Sequence, residues 1–160
     1  MRTVKFWLAA VPLALAAFSH AAAQHPLGEE PEFLPVDEAF VLSAELDGEG
    51  ALVARWKIAD GYYLYRHRFA FKPGEGDGAR LGELEIPAGK AKVDEYFGEV
   101  EVYYGHARAQ APLGADAGTA EVGIAYQGCA EAGLCYPPQT RWVTVEPAAG
   151  TVDFRQSDRR

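Results

Sequence analysis

Cysteine is scarce in this chain: two residues, Cys129 and Cys135, in 160. That excludes a small disulfide-stapled scaffold, in which many bridges stand in for a core. Histidine is also scarce, and His20, His25, His67 and His106 form no cluster in sequence. No metal-ligand string, Ser-His-Asp set or phosphate-binding glycine loop is present. Cys-x5-Cys is not a usual zinc spacing, and no histidine lies within twenty residues of the pair, so no metal and no cofactor is expected. Positive charge is in deficit, with 15 Lys and Arg against 23 Asp and Glu and a net charge of −8. Nucleic acid needs a basic footprint, and so do anionic membrane surfaces, so neither is an expected partner. Sustained helical periodicity with caps is missing throughout.

What is present begins with a short basic segment, Arg2 and Lys5, followed by thirteen residues from Phe6 to Phe18 that are apolar apart from Pro12. Ser19-His20-Ala21-Ala22-Ala23 supplies small residues. The order is that of a secretory signal peptide over 1–23, cleaved after Ala23 or, as a second candidate, after Ala21. Thirteen residues are too few for a membrane span, which takes roughly 20. No later apolar run is longer, so no span is expected in the mature chain. Cleavage removes two positive charges and takes the net charge from −8 to −10. Export places both cysteines where a disulfide can form and persist.

The remaining 137 residues suit one domain with a real core. Gln24 to Pro35 reads as an extended lead-in. Ala39–Leu46 and Ala51–Ile58 read as strands around the turn Asp47-Gly48-Glu49-Gly50, and Leu52, Ala54, Trp56 and Ile58 alternate as one buried face. Further strands are expected over Tyr62–Phe71, Arg80–Ile86, Glu99–Tyr104, Ala107–Leu113, Thr119–Tyr126 and Arg141–Val145, with a glycine-rich loop over 72–79. Seven to nine short strands at this spacing predict an all-β, immunoglobulin-like antiparallel sandwich over 24–146, with a closed barrel as the alternative. Residues 147–160 read as a loose polar tail.

The cysteines sit in Gln127-Gly128-Cys129-Ala130-Glu131-Ala132-Gly133-Leu134-Cys135-Tyr136-Pro137-Pro138. With strands on either side and Gly133 turning the chain, they can face each other across a hairpin, close to disulfide reach. A plain structural bridge is one reading. The loop is short, so such a bridge would contribute only about 2–2.5 kcal/mol by chain entropy.

This segment resembles the active-site stretch of the N-terminal periplasmic domain of DsbD, the thiol:disulfide interchange family. Asp60-Gly61-Tyr62-Tyr63-Leu64-Tyr65-Arg66 resembles that family's aromatic strand. Asp94-Glu95-Tyr96-Phe97-Gly98 resembles its cap loop, with the two aromatics exchanged relative to a common Phe-Tyr order. The resemblance covers roughly residues 31–146. It implies an immunoglobulin-like fold, a periplasmic location and a redox-active pair, with Cys135 attacking and Cys129 resolving. It also implies an electron-relay oxidoreductase of the protein-disulfide reductase type. Electrons would arrive from a membrane partner through a thioredoxin-like domain, here in trans. They would leave to periplasmic disulfide isomerases or cytochrome c maturation thioredoxins.

By the same resemblance Tyr63 and Tyr65 line the site and Tyr96 covers the disulfide. Tyr136 reads either as packing beside Cys135 or as a strand-end aromatic. Asp94 and Glu95, as carboxylates near a thiol, would disfavour its thiolate and slow stray reactions. Tyr62 is expected in the core and His67 on the surface. The rival readings are a periplasmic immunoglobulin-like binding module with a structural disulfide, and an oxidant-sensing thiol protein.

Overall fold

The computed structural model describes residues 32–75, 80–114 and 118–155, all within one compact unit. The expected signal peptide lies outside the described residues. The first hairpin joins β1 (Phe40–Leu46) and β2 (Ala51–Ile58), in register from Phe40↔Ile58 to Leu46↔Leu52. Its turn closes because Asp47 Oδ1 accepts hydrogen bonds from the backbone N–H of Glu49 and Ala51, both at 2.9 Å, while Gly50 takes φ 82°. A residue with a side chain adopts that φ only with strain.

Three antiparallel sheets build the immunoglobulin-like sandwich. The first adds β7 (His106–Pro112) to β2, giving the order β1-β2-β7. The second runs β11-β10-β8-β4, from Thr151–Phe154, Gln139–Glu146, Ala120–Tyr126 and Ala70–Pro73. The third runs β5-β6-β3-β9, from Lys90–Asp94, Gly98–Tyr103, Tyr62–Tyr65 and Gly128–Ala130. The main core between them holds Phe40, Leu52, Trp56, Leu64, Val122, Ile124, Tyr126, Val143 and Val145, each no more than 1 % exposed. Burying one such side chain contributes about 1.5–3 kcal/mol.

Several elements differ from the sequence reading. Tyr62–Phe71 is not one strand. It breaks at a 3-10 turn over Arg66–Arg68, because β3 pairs with β6 and β9 whereas β4 pairs with β8 in another sheet. Arg80–Ile86 makes only two isolated bridges, Leu81↔Leu113 and Glu85↔Gln110. Leu81, Leu84 and Ile86 are apolar because they pack against the core, not because they join a ladder. β5 was not expected, nor was the single helical turn α1 (Val36–Ala39) after Pro35. As far as it is described, through residue 155, the tail is no loose end either. β11 pairs with β10 from Val143↔Phe154 to Glu146↔Thr151, and Val152 and Phe154 pack against the core.

Candidate functional site

Strand β3 faces two ways. Tyr62 and Leu64 point into the main core, while Tyr63 and Tyr65 form a second cluster with Val102 and Cys129, flanked by Val100 and Cys135. The period of two of a strand puts alternate residues on opposite faces. β9 is pinned under β3, with Tyr63↔Cys129 and Leu64↔Gly128 in register. Gly128 is required there: a Cβ would fall on the Tyr63 carbonyl oxygen and within 2.6 Å of Phe40 Cζ and 2.8 Å of Leu64 Cδ2.

After Ala130 the chain turns back through Gly133, at φ 102°. The turn is tied by Ala130 N–H to Leu134 O at 2.7 Å and Tyr136 N–H to Gly128 O at 3.1 Å. Cys129 and Cys135 therefore oppose each other as an antiparallel bridge with Cα atoms 4.1 Å apart, and their sulfurs are bonded. The pair is unequal. Cys129 is 1 % exposed, whereas Cys135 is only half-buried, on the outer arm of the turn.

A buried polar line leads away from the inner sulfur. Tyr65 Oη lies 3.2 Å from Cys129 Sγ and donates to Asp94 Oδ2 at 2.7 Å. Tyr63 Oη donates to the same oxygen at 3.1 Å. Asp94 Oδ1 accepts from the backbone N–H of Tyr96 and Phe97, at 2.8 and 3.1 Å. Burial alone would push the Asp94 carboxyl up, but these four hydrogen bonds outweigh it and hold the group below its ordinary value. Asp94 is thus a carboxylate at neutral pH. It also works in the opposite sense on its neighbours: desolvation first, then the tyrosine pair and Asp94, push the Tyr65 hydroxyl up, so it stays protonated.

The Asp94 bonds fold the cap, residues 94–98, back over the cluster. The ring that lands on it is Phe97, not Tyr96. Phe97 packs edge-on against Tyr65 at 5.1 Å and His67 at 5.0 Å, with the Arg68 guanidinium 4.6 Å above it. Tyr96 is 60 % exposed, and Glu95 is exposed beside it. The reason is local: with Asp94 buried and both following N–H groups turned onto its carboxylate, position 96 is at the apex of the turn and position 97 returns to the sheet.

Tyr136 also differs from expectation. Its ring meets Phe40 at 5.6 Å and Tyr62 at 6.3 Å in the main core, and its hydroxyl donates to Leu34 O. Strand alternation turns it away as Cys135 turns outward. Tyr62 is in the core as expected, its hydroxyl accepting from Leu34 N–H at 2.8 Å. His67 is exposed, as expected, but its ring lies against both Tyr65 and Phe97. Desolvation and then the Arg68 charge hold its imidazole below the ordinary value, so it is neutral at neutral pH.

The family model described as thiol:disulfide interchange protein DsbD, N-terminal, matches residues 30–147. The chain belongs to this family. The Pseudomonas aeruginosa thiol:disulfide interchange protein DsbD 1 is 46% identical over 120 residues, which are 74% of this chain and 20% of that protein. The Photorhabdus laumondii DsbD is 37% identical over 153 residues, 96% of this chain and 25% of that one. The chain thus spans about a fifth to a quarter of the length of these curated relatives. Among solved structures, the reduced Neisseria meningitidis DsbD N-terminal domain aligns with TM-score 0.66 at 33% identity, over 77% of this chain and 95% of that one. The complex between the DsbD and PilB N-terminal domains of the same organism aligns with TM-score 0.61 at 34% identity, over 71% and 88%.

Within the DsbD-family frame, three side chains that the sequence reading passed over join the site. Lys92 Nζ lies 4.7 Å from the Tyr63 ring centre and pairs with both carboxylate oxygens of Glu131, at 3.1 and 3.0 Å; the Tyr104 hydroxyl donates to the same carboxylate. A period of two would have found two of them. Lys92 is two residues before Asp94, and Glu131 two after Cys129. Among the described residues no group of three or more potential metal ligands occurs, and no helix is long and apolar enough to cross a membrane. Chemically, the site holds one half-buried sulfur on the outer arm of the turn and a second, fully buried sulfur beside the Tyr65 hydroxyl. Tyr65 Oη can accept a proton-sharing bond from a Cys129 thiol while donating its own proton to Asp94.

Proposed function

We propose that this domain is a periplasmic thiol–disulfide relay, passing reducing equivalents to thioredoxin-fold proteins through the reversible Cys129–Cys135 disulfide. The observation that carries the reading is the asymmetry of the pair: one sulfur fully buried beside the Tyr65 hydroxyl, the other half-buried on the outer arm of the turn. In the reduced domain the Cys135 thiolate attacks a partner disulfide. An S–S bond forms to Cys135, and one partner sulfur leaves as thiolate. Cys129 then gives up its proton, attacks Cys135 Sγ and releases the partner as a dithiol. Two electrons and two protons leave the domain. Tyr65 and Asp94 position Cys129 for the second step, and Phe97 limits access for the first.

Reduction of the domain runs the same steps in reverse. The donor is a thioredoxin-like domain fed by a membrane electron-transfer partner. The recipients are periplasmic disulfide isomerases or cytochrome c maturation thioredoxins. The complex of a Neisseria relative with a PilB N-terminal domain supports such a docking mode. Export rests on the 1–23 leader, cleaved near Ala23, and the working domain on residues 24–146 together with β11.

The test is thiol transfer from the reduced chain to oxidised thioredoxin-fold periplasmic proteins. Fast transfer is expected, with Cys129→Ser trapping a mixed disulfide through Cys135 and Cys135→Ser trapping none. If no partner exchanges and the disulfide only adds stability, the bridge is structural and the domain is a binding module.

A further inference from the structure

The cap and the cysteine turn lie at opposite edges of one sheet. In the order β5-β6-β3-β9, the cap follows β5 and the turn follows β9, and no backbone ladder joins these two strands. Side chains cross the intervening strands along two lines on the same face. One is the buried line Asp94–Tyr65–Cys129. The other runs from Lys92, over the Tyr63 ring, to Glu131, with Tyr104 bracing the carboxylate. The second line is displaced by two residues at both ends, from 94 to 92 and from 129 to 131, as the strand period requires. Its groups are tuned to one another. The hydrogen bond to Glu131 raises Lys92, and those from Tyr104 and Lys92 lower Glu131 despite some desolvation, so both stay charged at neutral pH.

We propose that Glu131, with Lys92 and Tyr104, is a clasp: a positioning device that holds the cysteine turn against the cap-bearing strand and sets how often Cys135 becomes accessible to attack. Neither Lys92 nor Glu131 touches a sulfur. The clasp acts through the turn that carries Cys135, in which only Ala132, Gly133 and Leu134 separate Glu131 from the outer cysteine. This rests on Cys135 being the exchanging sulfur, as proposed above, but not on any physiological partner.

The experiment measures reduction of the oxidised chain by dithiothreitol. One dithiothreitol thiolate forms an S–S bond to Cys135 as the Cys129–Cys135 bond breaks. Its second thiol then closes the ring and frees Cys135, so two electrons and two protons pass to the domain. Glu131→Gln and Lys92→Gln should each speed this about two- to fivefold, the size an exposed ion pair carries. The Lys92→Gln, Glu131→Gln pair should be no faster than either alone. The charge-swapped pair Lys92→Glu, Glu131→Lys should return towards the wild-type rate. A general charge effect on the anionic reductant would instead speed Glu131→Gln and slow Lys92→Gln, and that pattern overturns the clasp. So do unchanged or additive rates. Tyr104→Phe, the loss of one hydroxyl, should also be faster, and keeps the test available if a charge variant fails to fold. Dithiothreitol is not a partner, so a clasp that holds alongside failed partner exchange would sink the relay alone.

Discussion

At the scale of single residues, Asp94 is the side chain on which the site converges. Its four accepted hydrogen bonds tie two tyrosines and the cap backbone to one carboxylate. An asparagine has one acceptor oxygen and cannot serve both sides. Asp94→Asn should therefore cost about 1–3 kcal/mol of stability, measured by chemical denaturation. The pH dependence has a definite sign. The folded carboxyl sits below its unfolded value of about 3.9, so its stabilisation is present above that pH and is lost as pH falls through the lower folded value. The gap between wild type and Asp94→Asn should be full at pH 6 and shrink below about pH 4. A gap independent of pH would show that the charge is not what the hydrogen bonds stabilise. Asp94 was legible as a site residue from its place in the cap motif. That it reaches the Cys129 side through Tyr65 was not, because a hydrogen-bond relay depends on strand register.

At the scale of elements, the cap and the hairpin make separate predictions. Phe97→Ala removes the ring that lies between Tyr65, His67 and Arg68. Reduction of the disulfide by a small thiol should accelerate, whereas Tyr96→Ala should change it little. The opposite ranking would restore Tyr96 as the cover. Gly128→Ala should destabilise the domain by about 2–4 kcal/mol, since its Cβ meets backbone and two core side chains at once. A thermal melt unchanged by that substitution would contradict the packing described. The sequence made the β1–β2 hairpin readable because alternation and turn chemistry agree there. It misled at Tyr62–Phe71, where an unbroken aromatic run conceals a switch of sheet. It misled again at Arg80–Ile86, where apolar spacing reflects packing without pairing. Local pattern records which face is buried, and partner strands decide whether a ladder forms.

At the scale of the whole molecule, the sandwich extends past the point where the sequence looks polar. Truncation after Glu146 removes β11 and uncovers the side of β10 on which Val152 and Phe154 pack. A loss of about 2 kcal/mol or more is expected by denaturant titration, from half-burial of two apolar side chains and a lost edge strand. The tail was illegible because its strand, Thr151-Val152-Asp153-Phe154, alternates over only two periods, too short a run to stand out from its polar surroundings, and only the edge of β10 gives it a place. By contrast the class of fold was legible from strand spacing, and the cysteine motif from its length.

The Gly128 seat has a mechanical consequence. Because no side chain fits there, β9 lies flush on β3, and the sulfur it carries is effectively bolted to the sandwich. The other sulfur hangs on a six-residue span with a glycine at its bend. When the S–S bond opens, the two sulfurs must separate to van der Waals distance, and more of that travel is expected of Cys135 than of Cys129. The domain therefore resembles an electrical switch with one fixed contact and one sprung contact, and its handedness is set by the backbone before any partner arrives.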